Sequence, residues 1–425
     1  MPGDVTLAAV RVFVALVAAA AAVAFVARRA GVPASIPLVL LGLVVAAIQP
    51  GADVRMTPEL VLAVLLPGLV FEAAYHTPFE ELRRALLAVL LLAIPGVVVI
   101  AGVVAVVLNV ATGLDVRLGF LIGAMVAATD PAAVISTFER LRTPRGLTTL
   151  VEAESLLNDG TGIVLFSIAL AALTSGDSGG PAGGVIAFTW VIAASVAIGV
   201  IAGLAASVAL AAVNDHQIEL AISLVLAYGS YLIADAVHLS GIIASVLAGI
   251  TLGTYGRTHG LSPRAREAID VVWDFIAFLL TALVFLLIGL TITLSDLASA
   301  ALPIAWGVVA ILGGRALVVY GLLGGTGRLV GVLRRGRTVG PPLPWLHVMF
   351  WAGLRGAVSV ALALSLPADL EQRGLIQDVT FGIVLFTLVV QGLTAGSVVR
   401  LALGRREPPL HGAERARSLR DEAGS

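Results

Sequence analysis

Asp130 and Asp159 are carboxylic acids in stretches of sequence that otherwise hold almost nothing polar. The first lies in Met125-Val126-Ala127-Ala128-Thr129-Asp130-Pro131-Ala132-Ala133-Val134, the second in Glu154-Ser155-Leu156-Leu157-Asn158-Asp159-Gly160. Both stretches are apolar enough to span a bilayer. A charged side chain at that depth costs about 2.5–3.5 kcal/mol on the insertion scale unless something compensates it, so it marks a functional site by default. The other deep charges are Glu72, Glu154, Arg315 and Arg355. If they cluster, four acids meet two bases. The surplus negative charge then demands protons, a cation, or both, which is the chemical requirement of a cation/proton exchanger.

Helical geometry divides the labour among these groups. Ser155 and Asp159 are four residues apart and share one face of a helix; Glu154 and Asn158 share the adjacent face. Ser155 and Asp159 can present oxygens towards Thr129 and Asp130 on the preceding helix. Hard cations take oxygen ligands, and Thr129, Asp130, Ser155 and Asp159 supply such a set with no soft ligand; a metal site for an alkali cation is expected at Asp130 and Asp159. Glu154 is expected to pair with Arg315, with Asn158 hydrogen-bonding into the pair, chiefly as a static brace. Glu72, in Gly68-Leu69-Val70-Phe71-Glu72-Ala73-Ala74-Tyr75-His76, lines the cytoplasmic approach or touches the ion as one of its binding residues; the alternative is a carboxylate snorkelling to the surface. Arg355 is read as a positive charge facing helix C-terminal carbonyls. The six histidines fall mostly in loops or at helix ends and show no metal-ligand spacing.

Composition fixes what must hold these residues in place. The chain has 425 residues, 59% hydrophobic and 12% charged, with a mean hydropathy of +1.04. Soluble domains carry about twice that charged fraction, so the expected class is an all-α polytopic membrane protein. Cys is absent, which excludes disulfides, thiol catalysis and Cys-ligated metals. The basic residues are all Arg, a bias that fits a GC-rich bacterial genome. Spans need about 20 mostly apolar residues. Charges and Pro/Gly breaks delimit 13 candidates, near 6–27, 34–49, 57–75, 82–111, 117–138, 147–174, 185–212, 216–237, 239–255, 268–295, 299–327, 343–366 and 374–402. The first lacks a basic leader and reads as a retained helix. With the N-terminus outside and the C-terminus cytoplasmic, twenty of the 26 arginines fall inside, and only Arg55, Arg117 and Arg373 in outside loops. Residues 403–425 read as a short cytoplasmic tail.

The fifth and twelfth spans start about 226 residues apart, and the sixth and thirteenth about 227. The fifth carries Thr129-Asp130-Pro131 at mid-membrane, the twelfth Gly353-Leu354-Arg355-Gly356. Seven helices apart, they run in opposite directions. The pattern predicts an inverted repeat, with two broken helices crossing near the midplane. Pro131 removes a donor and drives Asp130 out of helical geometry, and irregular backbone at that depth survives only inside protein or along a cavity.

These residues resemble the monovalent cation/proton antiporters of the NhaP/NHE type. The resemblance rests on Ala128-Thr129-Asp130-Pro131 and Glu154-Ser155-Leu156-Leu157-Asn158-Asp159-Gly160. It is supported by Phe71-Glu72-Ala73-Ala74-Tyr75, Ser240-Gly241-Ile242-Ile243-Ala244, Phe285-Leu286-Leu287-Ile288-Gly289-Leu290 and Gly353-Leu354-Arg355-Gly356-Ala357-Val358-Ser359. It covers roughly residues 6–402, a single transporter unit. It implies a homodimer with an elevator-like motion, in which a core (about 82–174 and 299–402) moves against a dimerisation part (about 6–75 and 216–295), joined by a helix at about 185–212. Asp159 becomes the main carrier, with Asp130, Thr129 and Ser155 completing the site. The Asn158-Asp159 pair looks like the electroneutral branch, with one-for-one exchange. Two positions depart from the pattern: Asp274 stands where Glu is expected, and Thr281 where an amide is common.

The expected function is exchange of Na+ (or Li+) for H+ across the bacterial inner membrane, with the cation and the proton competing at Asp159. K+/H+ exchange by the same fold is the alternative within the class. The alternative outside it is an intramembrane aspartyl hydrolase using the two acids as a shared-proton dyad. The expected partners are a monovalent cation, the proton, the lipid bilayer and a second copy of the chain. No nucleic acid, cofactor or enzymatic activity is expected.

Overall fold

The computed structural model describes residues 14–48 (apart from 15, 28, 30 and 31), 57–174, 180–213, 215–327 and 340–404. Residues 6–13 of the first expected span, Arg11, Arg28, Arg55, Arg328, Arg334, Arg335, Arg337, and the tail from Arg405 lie outside them. All regular structure among the described residues is helical. Eight stretches are long and apolar enough to cross a membrane, and three apolar helices are shorter: Leu16–Ala27, Ser35–Ile48 and Leu60–His76.

In chain order, α1 (Leu16–Ala27), α2 (Ser35–Ile48) and α3 (Leu60–His76) precede the long α4 (Phe79–Thr112). Then come α5 (Val116–Ala127), α6 (Ala132–Leu141), α7 (Arg145–Thr174), α8 (Gly180–Ala211), α9 (His216–Asp235) and α10 (Gly241–Thr251). They are followed by α11 (Pro263–Thr291), α12 (Ala301–Gly327), α13 (Leu343–Trp351), α14 (Ala357–Leu364) and α15 (Arg373–Leu403).

Local chemistry sets the ends that matter. Asp115 caps α5 by accepting the Arg117 N–H at 2.8 Å. The helix stops at Ala127, and Pro131 heads α6. Between them Ala128 is extended (φ −59°, ψ 140°), because Pro131 supplies no N–H and its ring bars Asp130 from helical geometry. α13 likewise ends at Trp351, and α14 begins only after Gly356. α11 starts five residues before the apolar run does: Ser262 caps it through the Ala265 N–H, with Pro263 in the first turn. The short ninth span is lengthened by a wide turn at Leu252–Gly256 that carries α10 on to His259.

The helices pack as two groups. In one, α5 lies against α4 and α7, α12 against α4, and α15 against α6, α12, α13 and α14. Gly123 permits the close approach of α5 to α4, since a Cβ there would sit 2.6 Å from the Ala101 Cα. In the other, α2 packs on α11, and α10 on α3, α8 and α9. The two groups meet where α7 touches α3 and α10, and where α14 touches α3 and α11.

Candidate functional site

The two interruptions meet. Asp130 donates its backbone N–H to the Leu354 carbonyl at 2.8 Å, so one break is hydrogen-bonded directly to the other. Four half-helix ends therefore converge on one region, and each is met by a side chain of opposite sign. The Asp130 carboxylate accepts the Ala132 N–H at 3.1 Å and the Ala357 N–H, which places one anion at the N-termini of both α6 and α14. Arg355 donates to the Ala127 and Ala128 carbonyls at 2.7 and 2.9 Å, at the C-terminus of α5. Its own N–H bonds Thr387 Oγ1 at 3.0 Å. Arg315 donates to the Met349 carbonyl at 2.8 Å, near the C-terminus of α13. The breaks also need their glycines: a Cβ on Gly353 would lie 2.8 Å from Arg315 Nε, and one on Gly356 2.6 Å from the Asp130 Cβ.

Glu154 faces Arg315 in a two-pronged pair, with Arg315 Nη1 on Oε1 and Nη2 on Oε2 at 3.0 Å. The side chains are 2% and 3% exposed. Asn158 was expected to join this pair and does not. Its amide crosses to the break instead, accepting the Thr129 N–H at 3.0 Å and donating to Thr129 Oγ1 at 2.8 Å. The physical reason is demand. Thr129 sits in unwound backbone without helical partners, whereas Glu154 is already met by two guanidinium donors. Ser155 Oγ donates to the Thr129 carbonyl, which leaves the hydroxyl's lone pairs free to face a cation.

Asp159 is half-buried, and no hydrogen bond reaches its carboxylate from any described residue. With Thr129, Asp130 and Ser155 it lines the inner end of a cavity of about 910 Å³. The cavity runs out past Glu72, His76, Glu152 and Asp274 to Pro78, Glu139, Arg142 and Arg145. Glu72 thus lines the cavity and is partly buried. Asp130 and Asp159 share the cavity without a hydrogen bond between them, so the shared-proton dyad of a hydrolase is not formed.

Sequence reasoning missed two features. Glu152, one turn from Ser155 on α7, also lines the cavity. His76, one of the histidines without metal-ligand spacing, places Nδ1 3.0 Å from Glu72 Oε1 and Nε2 3.4 Å from Asp270 Oδ1. The four-residue spacing of Glu72 and His76 was the available signal. The meeting with α11 left none.

Comparison with known proteins gives the family. The family described as "sodium/hydrogen exchanger, transmembrane" matches residues 12–401. The chain belongs to the sodium/hydrogen exchanger family. It is 37% identical over 373 residues to the Na+/H+ antiporter ApNhaP of Aphanothece halophytica, covering 87% of this chain and 69% of that one. It is 34% identical over 397 residues to the Na+/H+ antiporter NhaH of Halobacillus dabanensis, covering 91% and 96%. Among solved structures, the sodium proton antiporter MjNhaP1 of Methanocaldococcus jannaschii shares the exchanger's fold, with a TM-score of 0.75 and 21% identity over 94% of this chain and 99% of that one. The exchanger is a multi-pass membrane transporter, not an enzyme.

Proposed function

We propose that this exchanger moves Na+, or Li+, inward or outward against H+, one for one, with both ions competing for Asp159. The observation that carries this reading is the contrast between the two acids. Asp130 is held by the N–H groups of two helix N-termini. No hydrogen bond from the described residues reaches the Asp159 carboxylate, which lines the cavity beside Ser155 and Thr129. A carboxylate so placed needs a proton or a cation before it enters a dry environment. Asp159, Ser155 and Thr129 supply ligand oxygens, Asp130 fixes the local field, and Glu72 lies on the route in. Asn158, Glu154, Arg315 and Arg355 hold the breaks in shape. The names of ApNhaP and NhaH support Na+ as the cation.

The division of packing supports an elevator-type motion. α4–α7 and α12–α15 form the carrying core, α1–α3 and α9–α11 the part that stays and pairs with a second copy, and α8 the link. The cavity's outer end is flanked by Arg142 and Arg145, so under the positive-inside rule it faces the cytoplasm.

Purified protein in proteoliposomes with an internal pH dye tests the reading. Na+ and Li+ should drive proton movement, the rate should not respond to an imposed membrane potential, and Asp159→Asn should abolish it. Potential-dependent flux would exclude one-for-one exchange. Response to K+ and Rb+ in place of Na+ would reassign the cation. Normal flux in Asp159→Asn would refute the carrier assignment.

A further inference from the structure

We propose that Glu72, His76 and Asp274 form a binding site for a divalent transition-metal cation on the approach to Asp159, and that its occupation blocks transport. One ligand atom from each residue lies within 4.8 Å of the others. Glu72 and His76 stand on the last turn of α3, one turn apart, and Asp274 on α11. The four-residue spacing of Glu72 and His76 is the part of the cluster visible in the sequence; Asp274 joins them only where these two helices meet.

What surrounds the cluster matches what a metal-bound imidazole needs. His76 Nδ1 lies 3.0 Å from Glu72 Oε1, while Nε2 lies 3.4 Å from Asp270 Oδ1. Asp270 sits one turn before Asp274 on α11 and is anchored by Arg257 at 2.5 Å. A carboxylate that holds one ring N–H orients the imidazole and raises its basicity at the other nitrogen. Asp270 is placed to do this once Nδ1 exchanges its proton for a metal ion. One imidazole nitrogen and two carboxylates suit Zn2+ and its neighbours, with water at the open position. Ca2+ and Mg2+ prefer oxygen alone. Asp274 is exposed, whereas Glu72 and His76 are half-buried, so an ion can enter from solvent.

All three residues line the cavity that ends at Asp130 and Asp159. A bound dication there narrows the route and repels an incoming monovalent cation. The inhibitory effect rests on that cavity being the cation's path, the reading given under Proposed function. Binding itself does not.

The test uses the full-length protein with its affinity tag removed. ZnCl2 is titrated calorimetrically into the detergent-solubilised protein and, separately, into inside-out vesicles carrying out Na+-driven proton flux. One Zn2+ should bind per chain and slow the flux. His76→Gln and Asp274→Asn should each weaken binding by at least about tenfold and shift the inhibition midpoint equally, and Asp270→Asn should weaken binding by about 10- to 100-fold. Zinc-free transport should be unchanged in His76→Gln and Asp274→Asn. Asp274→Glu, which keeps a carboxylate, should retain binding and so separates ligand loss from misfolding. Absence of Zn2+ uptake, uptake indifferent to His76→Gln and Asp274→Asn, or equal inhibition of those variants and the parent would overturn the proposal. Zinc uptake lost in both variants of a protein that moves no Na+ would sustain the metal site and overturn the antiport reading instead.

Discussion

The Glu154–Arg315 pair separates a brace from a participant in transport. Both side chains are almost wholly buried, and the guanidinium meets the carboxylate with two nitrogens and the Met349 carbonyl with one of them. Glu154→Gln leaves Arg315 buried without its counter-charge, a change that costs about 3–5 kcal/mol. Against a total stability on the order of 5–15 kcal/mol, that is a large share. Glu154→Leu combined with Arg315→Met removes both charges. Replacing a buried pair with apolar groups is neutral or stabilising by about 1–4 kcal/mol, offset by about 1–3 kcal/mol for the Met349 carbonyl left without its donor. The double variant should therefore lie within about 3 kcal/mol of the parent, above the single variant. Thermal unfolding in detergent measures the stabilities, and Na+-driven proton flux in everted vesicles the function. A double variant that is stable and still transports establishes the pair as a brace. One as stable as the parent but silent in flux would refute that reasoning and put the pair in the ion's path.

Gly356→Ala should leave the chain folded but slow transport sharply, because the new Cβ would lie 2.7 Å from Asp130 Cγ and push the carboxylate off its N–H donors; a parent-like rate at saturating Na+ would contradict this. Asn158→Ala removes both bonds to Thr129, at about 1–3 kcal/mol for each group left unpaired. It should raise the Na+ concentration for half-maximal flux, and an unchanged value would show that the break keeps its shape without the amide. Arg355→Gln should destabilise the protein more than it alters ion preference, since its nitrogen serves carbonyls and no ligand. Thermal unfolding and Na+/Li+ competition measure the two effects.

How much of this was legible in the sequence differs by residue. The breaks were legible because Pro131 drives Asp130 out of helical geometry and Gly353 and Gly356 permit non-helical backbone around a charge. The juxtaposition of Asp130 with Asp159 was legible because neither acid can stand alone in lipid. Asn158 was placed on the correct face of α7 but given the wrong partner. Four-residue spacing says which side chains travel together, not which neighbour they reach, and both Arg315 and Thr129 lie within reach of that turn. His76 and Asp270 belong to helices far apart in the chain, and no periodicity reports their meeting. The start of α11 at Pro263 was missed because a cap ends a helix by hydrogen bonding, and hydropathy does not register it.

The backbone bond from Asp130 to Leu354 has a thermodynamic corollary. Together with the reach of Arg355 across to α5, it fastens the two unwound segments to each other. On the antiport reading proposed above, segments tied in this way would travel as one piece, and the two ion gradients would decide which way exchange runs.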